Sequence, residues 1–129
     1  MITTMTETRL LLAEDDEMLA SLLKFRLEKA GYRVDHAADG RQVKEYVGRQ
    51  MPDIIVSDIM MPYFSGIELV DYLRNELCSQ VPVVIISTAG NESNVLNAFE
   101  LGADDFISKP VSPSELLVRL SKLLRVRKT

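Results

Sequence analysis

The sequence predicts an α/β sandwich: a five-stranded parallel sheet in the order 2-1-3-4-5, with helices on both faces. Three observations carry this. Short apolar runs alternate with stretches of helical period, the connections are short, and cap or turn residues stand where one pattern gives way to the other. A chain of 129 residues suits one folding unit.

The first strand is Leu10 to Ala13, and Asp16 then reads as a helix N-cap rather than a ligand. Leu19, Leu22, Leu23 and Leu27 form the inner face of the first helix. The second strand, Tyr32 to Ala37, is polar enough to lie at a sheet edge. Asp39-Gly40-Arg41-Gln42 is a weak capping box opening the second helix. The third strand, Ile54-Ile55-Val56, is apolar throughout, as strands covered on both faces are. Ser65-Gly66-Ile67-Glu68 is a capping box, followed by the stripe Ile67, Val70, Leu73 and Leu77. The fourth strand runs from Val81 to Ile86, and the helix after it, Asn91 to Leu101, buries Val95 with Phe99. The fifth strand, Asp105 to Ser108, is again of edge type. Ser112-Pro113-Ser114-Glu115 opens a last helix striped by Leu116, Leu120, Leu123 and Leu124. Gly31, Gly48 and Gly102 are expected just past helix ends. Two polar edge strands place the first strand inside the sheet, so the sheet grows one way and then the other. That is the flavodoxin-like doubly wound order, with its binding site at the switch point. The domain is expected over 9–126, with a flexible tail over 1–8 and a C-terminal tail or linker start over 127–129.

Composition narrows the function. A net charge of −4 and a pI near 5.0 argue against direct nucleic-acid binding. The basic residues Arg125, Arg127 and Lys128 favour the end of a helix dipole. One cysteine, Cys78, excludes an internal disulfide, and it reads as inert. The single histidine, His36, is read as a local packing or solvent-facing residue, not a phosphodonor. No apolar run is long enough for a signal peptide or a membrane span, so a cytoplasmic protein without membrane contact is expected.

The carboxyl ends of the strands carry the chemistry. They present Glu14-Asp15-Asp16, Asp58, Ser87-Thr88-Ala89-Gly90 and Lys109-Pro110. Like charges ~4 Å apart repel by about 4 kcal/mol at an effective dielectric of ~20, so such a cluster calls for a cation. Oxygen ligands with partial hydration suit Mg²⁺. Asp15 and Asp58 are the best direct ligands, Glu14 can act through a water, and the Met60 carbonyl can complete the set. A carboxylate beside a metal can take a phosphoryl group as an acyl phosphate. Lys109 would then supply a second cation, and the Thr88 hydroxyl a hydrogen bond to a phosphoryl oxygen.

These motifs resemble the receiver domain of bacterial two-component response regulators. The acidic pair Glu14-Asp15, the run Asp53 to Pro62 around Asp58, Ser65-Gly66, Thr88-Ala89 and Gly102 to Pro110 occur in order, from about Arg9 to Arg125. The resemblance implies that Asp58 is the phosphoacceptor. It implies a phosphohistidine donor on a sensor histidine kinase or phosphotransfer protein. Thr88 and Phe106 fall on the family's switch pair, through which phosphorylation reshapes the face made by helix four, strand five and helix five. That face would regulate an output domain or downstream protein. The Lys109-Pro110 bond is implied to be cis. Phe106 stands where Tyr is frequent, so no hydroxyl is available after it turns inward. Glu115, Arg119, Asp104 and Asp105 match charged positions of one dimerising subfamily. Helix four carries no Lys or Arg, which leaves a phosphorylation-dependent homodimer open.

Other readings fit the residues less well. Each site residue taken singly has a structural explanation: helix-start acids, a loop acid, a solvated lysine, a turn threonine, an edge-strand phenylalanine. A phosphatase of the haloacid dehalogenase type wants a second Asp where Met60 stands. An FMN carrier wants a phosphate loop where Glu14-Asp15-Asp16 would repel it. A degenerate receiver would lack a key residue, and none is missing.

Overall fold

The computed structural model describes residues 7–88 and 90–128, with side chains through Arg125. Most of the tail expected over 1–8, the second residue of the Thr88-Ala89 pair, and Thr129 lie outside the described residues. Five strands alternate with five helices: β1 (Arg9–Ala13), α1 (Glu17–Lys29), β2 (Arg33–Ala37), α2 (Gly40–Arg49), β3 (Ile54–Asp58), α3 (Gly66–Asp71), β4 (Val83–Ser87), α4 (Glu92–Leu101), β5 (Asp105–Ser108) and α5 (Pro113–Lys128). All strand pairs are parallel and the order is β2-β1-β3-β4-β5. The expected architecture and edge strands are therefore as read.

Period-two alternation sorts the strand residues between two cores. Leu11, Ala13, Ile55, Val83 and Ile85 pack with α2, α3 and α4 through Val43, Val47, Leu69, Val70, Val95 and Ala98. Leu10, Leu12, Ile54, Val56, Val84 and Ile86 pack with α1 and α5 through Ala20, Leu23, Leu27, Leu116 and Leu120. Each fully buried Leu or Ile contributes about 1.5–3 kcal/mol of burial free energy. That two-sided burial lets β3 end on Asp58, and lets Glu14 follow directly on β1, without loosening the sheet.

The caps position the site. Asp16 accepts from the Met18 and Leu19 N–H groups, Asp39 from Gln42 N–H, and Ser65 forms the full reciprocal box with Glu68. Ser112 Oγ accepts from Glu115 N–H at 3.2 Å. Gly31 and Gly102 take positive φ past their helix ends, at 104° and 116°.

Local details differ from the expectation at several points. Gly48 lies inside α2, which continues to Arg49 and closes on Gln50 with an extended backbone, so no left-handed glycine is used there. Leu22 is 50% exposed on the outside of α1, because the inner stripe is completed by Ala20. α3 passes into a π-helical segment over Tyr72–Glu76, where Arg74 reaches across to the Gly102 and Ser79 carbonyls. α5 runs through Lys128, two residues into the stretch expected as a tail or linker start.

Candidate functional site

The site forms where β1 and β3, adjacent in the sheet, reach their carboxyl ends at the reversal of strand order. β3 carries Asp58 as its last residue, and the chain after β1 presents Glu14 and Asp15. One carboxylate oxygen from each of these three residues lies within 4.8 Å of the others. Glu14 is fully buried, Asp58 is nearly so, and Asp15 is exposed. The expected acidic ligand set is thus brought together.

β5 delivers the compensating charge. Lys109 Nζ donates to Asp58 Oδ2 at 2.8 Å and lies 3.6 Å from Glu14 Oε2. The peptide bond after it, Lys109-Pro110, is cis, as expected. Burial works against the Lys109 ammonium, but the hydrogen bond and charge of Asp58, with the charge of Glu14, outweigh it and raise its pKa. Three carboxylates and one ammonium leave two negative charges when all are ionised.

Glu14 shows the imbalance most directly. Its Oε2 accepts from Asp16 N–H at 3.0 Å, while Oε1 is buried with no hydrogen-bond partner in the protein. Burial first, and then repulsion from Asp58, push its pKa up to about 7, against the opposing effects of the Asp16 N–H and Lys109. A buried anionic oxygen without a donor costs free energy unless something cationic meets it. The donor set is oxygen only, which suits Mg²⁺.

The backbone around Asp58 is closely fitted. Met60 N–H donates to Asp58 Oδ1 at 3.0 Å, and Gly66 N–H ties the loop back to the Ile59 carbonyl at 2.9 Å. A Cβ on Gly66 would stand 2.7 Å from the Asp58 carbonyl oxygen, so the start of α3 can approach only as glycine. Asp16 is a cap and an N–H donor to Glu14, and its side chain is not a member of the acidic cluster.

Thr88 and Phe106 stand on either side of a groove of about 500 Å³ between α4 and β5. Thr88 is exposed at the end of β4, and its Oγ1 accepts from Asn91 Nδ2 at 2.8 Å. Phe106 points outward, 40% exposed, edge-on to Phe99 with centroids 6.0 Å apart. Val95, Leu96 and Phe99 complete the apolar wall. Phe99, expected to be buried, is 38% exposed because it lines this groove. The partnership of Asn91 with Thr88 is not legible in the sequence, where Asn before a helix reads as a cap. His36 is exposed, with Nε2 2.7 Å from the Glu14 carbonyl oxygen, which fits a local structural role.

Comparison with known proteins agrees with this geometry. The family model of the response regulator receiver domain matches residues 10–121. Response regulator GtcR of Aneurinibacillus migulanus is 40% identical over 116 residues, covering 90% of this chain and 47% of its own length. The phosphate regulon transcriptional regulatory protein PhoB of Pseudomonas aeruginosa is 38% identical over 117 residues, covering 90% and 51%. The chain thus spans about half the length of the curated relatives it matches. The receiver domain of Francisella response regulator 1452 superposes with a TM-score of 0.85 at 32% identity, covering 95% of this chain and all of that one. Receiver domains generally bind Mg²⁺ at an acidic pocket, act as switches rather than metabolic enzymes, and work with histidine kinases and output modules. Among the described residues no helix is long and apolar enough to cross a membrane. The matched family, the sheet order and the acidic site at its switch point lead to one conclusion: this chain belongs to the response regulator receiver domain family and is a phosphorylation-activated signalling switch.

Proposed function

We propose that Asp58 accepts a phosphoryl group from a phosphohistidine on a sensor histidine kinase or phosphotransfer protein. An Asp58 carboxylate oxygen attacks phosphorus, the bond to the donor nitrogen breaks, and an acyl phosphate remains on Asp58. Mg²⁺ held by Glu14, Asp15, Asp58 and the Met60 carbonyl would offset charge developing on the phosphoryl oxygens. Lys109 neutralises the same oxygens from the side of β5, and Thr88 donates its hydroxyl to one of them. Movement of Thr88 toward the phosphoryl group frees the groove between α4 and β5, and Phe106 turns into it. The α4–β5–α5 face changes shape and regulates an output domain or partner protein in the cytoplasm. Self-catalysed dephosphorylation and a phosphorylation-dependent homodimer belong to the same proposal, as does a domain spanning 9–126.

The observation that carries this reading is the buried Glu14 oxygen without a donor, set among carboxylates whose charge exceeds that of Lys109 by two. Intact mass after incubation with Mg²⁺ and acetyl phosphate tests it. One phosphoryl group is gained, none by Asp58→Asn, and gain is slowed at least tenfold in Lys109→Ala and Asp15→Asn. Undiminished uptake by Asp58→Asn would overturn the assignment.

A further inference from the structure

α1, α2 and α3 each begin on a residue with extended backbone whose side chain accepts from the first turn: Asp16 at ψ 107°, Asp39 at 175° and Ser65 at 166°. α4 does not. Its N-cap residue, Asn91, sits at φ −108° and ψ 26°, and its side chain makes no cap hydrogen bond. Asn is among the strongest capping residues, so the omission needs a cause. The side chain is engaged elsewhere. Nδ2 donates to Thr88 Oγ1 at 2.8 Å, and Oδ1 accepts from Asn94 Nδ2 at 3.2 Å. The groove running under the first turns of α4, past Thr88, Asn91, Glu92 and Val95, leaves that end of the helix room to move.

We propose that Asn91 is a positioning residue with two alternative partners. In the unphosphorylated protein it holds Thr88. Once Thr88 has moved to the phosphoryl group, the Asn91 side chain is released, its backbone becomes extended, and Oδ1 caps α4 by accepting from Ser93 or Asn94 N–H. The exchange rests on the proposed role of Thr88. It supplies a route from that residue to α4: one hydrogen bond is traded for another, and the trade requires ψ of Asn91 to rotate, which reorients the start of the helix.

Two substitutions separate the bonds. In Asn91→Ser the side-chain oxygen stands where the Asn91 Cγ is, one bond short of Nδ2. Ser loses the hold on Thr88 yet caps a helix about as well as Asn. Asn91→Ala loses both bonds. The full chain with Mg²⁺ is titrated with beryllofluoride, and backbone chemical shifts are followed at residue 91 and at Phe106. In wild type the residue 91 shifts move to extended values on saturation. Asn91→Ser is expected to reach its midpoint at about fivefold lower beryllofluoride, the worth of one cap acting on the switch equilibrium. Asn91→Ala is expected within about twofold of wild type. Equal midpoints for Asn91→Ser and Asn91→Ala, or residue 91 shifts that stay unchanged at saturation in wild type, would overturn the latch. If instead wild type shows no response at Thr88 and Phe106, the underlying switch assignment fails first.

Discussion

Glu14→Gln removes a buried charge while preserving shape, and its effect on stability without metal follows from the site. The Glu14 carboxyl ordinarily titrates near 4.5 and is pushed to about 7 in the folded protein. The folded state therefore holds this proton more tightly than the unfolded chain does. Below about pH 4.5 the carboxyl is protonated in both states and the stabilising contribution is complete. As pH rises through about 7 the folded protein must give the proton up, and the contribution is lost. At ~1.36 kcal/mol per pKa unit, the separation of the two values is worth on the order of 3 kcal/mol. The residue is fully buried, so solvent screening does not reduce this figure. For a chain of 129 residues that is roughly 10 °C in Tm. The assay is thermal unfolding in EDTA between pH 4.5 and 8 for wild type and Glu14→Gln. Taking the difference between the two cancels the titrations of groups remote from Glu14 and leaves those of Glu14 and the Asp58 and Lys109 side chains that interact with it. The expected result is a Glu14→Gln protein that gains on wild type progressively as pH rises, by about 3 kcal/mol in total. A difference that stays flat across this range would refute the assignment of Glu14 as the strained member of the site.

Three more outcomes follow from the same geometry. Excess Mg²⁺ is expected to raise the Tm of wild type at pH 8, by about 2.7 kcal/mol of stability at a hundredfold excess over Kd, and to leave Asp15→Asn and Asp58→Asn largely unmoved in the same melts. Gly66→Ala must push its new methyl against the Asp58 carbonyl and the Ile59 Cα, 2.7 Å and 2.9 Å away. It should cost about 1–3 kcal/mol in urea unfolding and slow phosphoryl uptake by mass, although every charged site residue is retained. Arg74→Ala removes donors to Gly102, Ser79 and Asp104, and urea unfolding should show a loss of about 2 kcal/mol, discounted for the part-exposed Asp104.

How much of this was legible in the sequence depends on the range of the interaction. Strands β1, β3 and β4 announce themselves because burial on both faces demands unbroken apolar runs. The box at Ser65 and Glu68 is closed by groups three residues apart. The convergence of Glu14, Asp15, Asp58 and Lys109 could be read because sheet order alone carries strand ends to one edge. The rest turns on side-chain competition that no spacing reveals. Gly48 looked like a helix terminator, yet α2 simply continues past it. Leu22 fits the leucine stripe, but Ala20 and Leu23 already fill the space beneath α1. Nothing in the local pattern marks Arg74, which from the π-helical turn reaches the Gly102 carbonyl 28 positions away. Asn91 stands where a cap belongs and bonds to Thr88 instead.

The two halves of the site differ in energetic scale, and that difference suits a switch. Around Glu14 and Asp58 the forces are large, because charges sit in a nearly dry pocket where an uncompensated carboxylate shifts stability by several kcal/mol. Around Thr88 and Phe106 they are small. The outward state is held by one neutral hydrogen bond from Asn91, worth ~1 kcal/mol, and by one edge-to-face contact between Phe99 and Phe106, worth about 0.5–1.5 kcal/mol. A hydrogen bond from Thr88 to a phosphoryl oxygen is charge-assisted and roughly twice as strong as the neutral one it replaces. On the proposed role of Thr88, one such bond is enough to tip the balance at α4. With Thr88 acting as proposed, the same small scale predicts a reversible switch and not a locked one. Strengthening the Phe99–Phe106 contact should therefore raise the beryllofluoride midpoint read from the Phe106 backbone shifts and leave phosphoryl uptake by mass unchanged, because neither aromatic residue belongs to the acidic cluster.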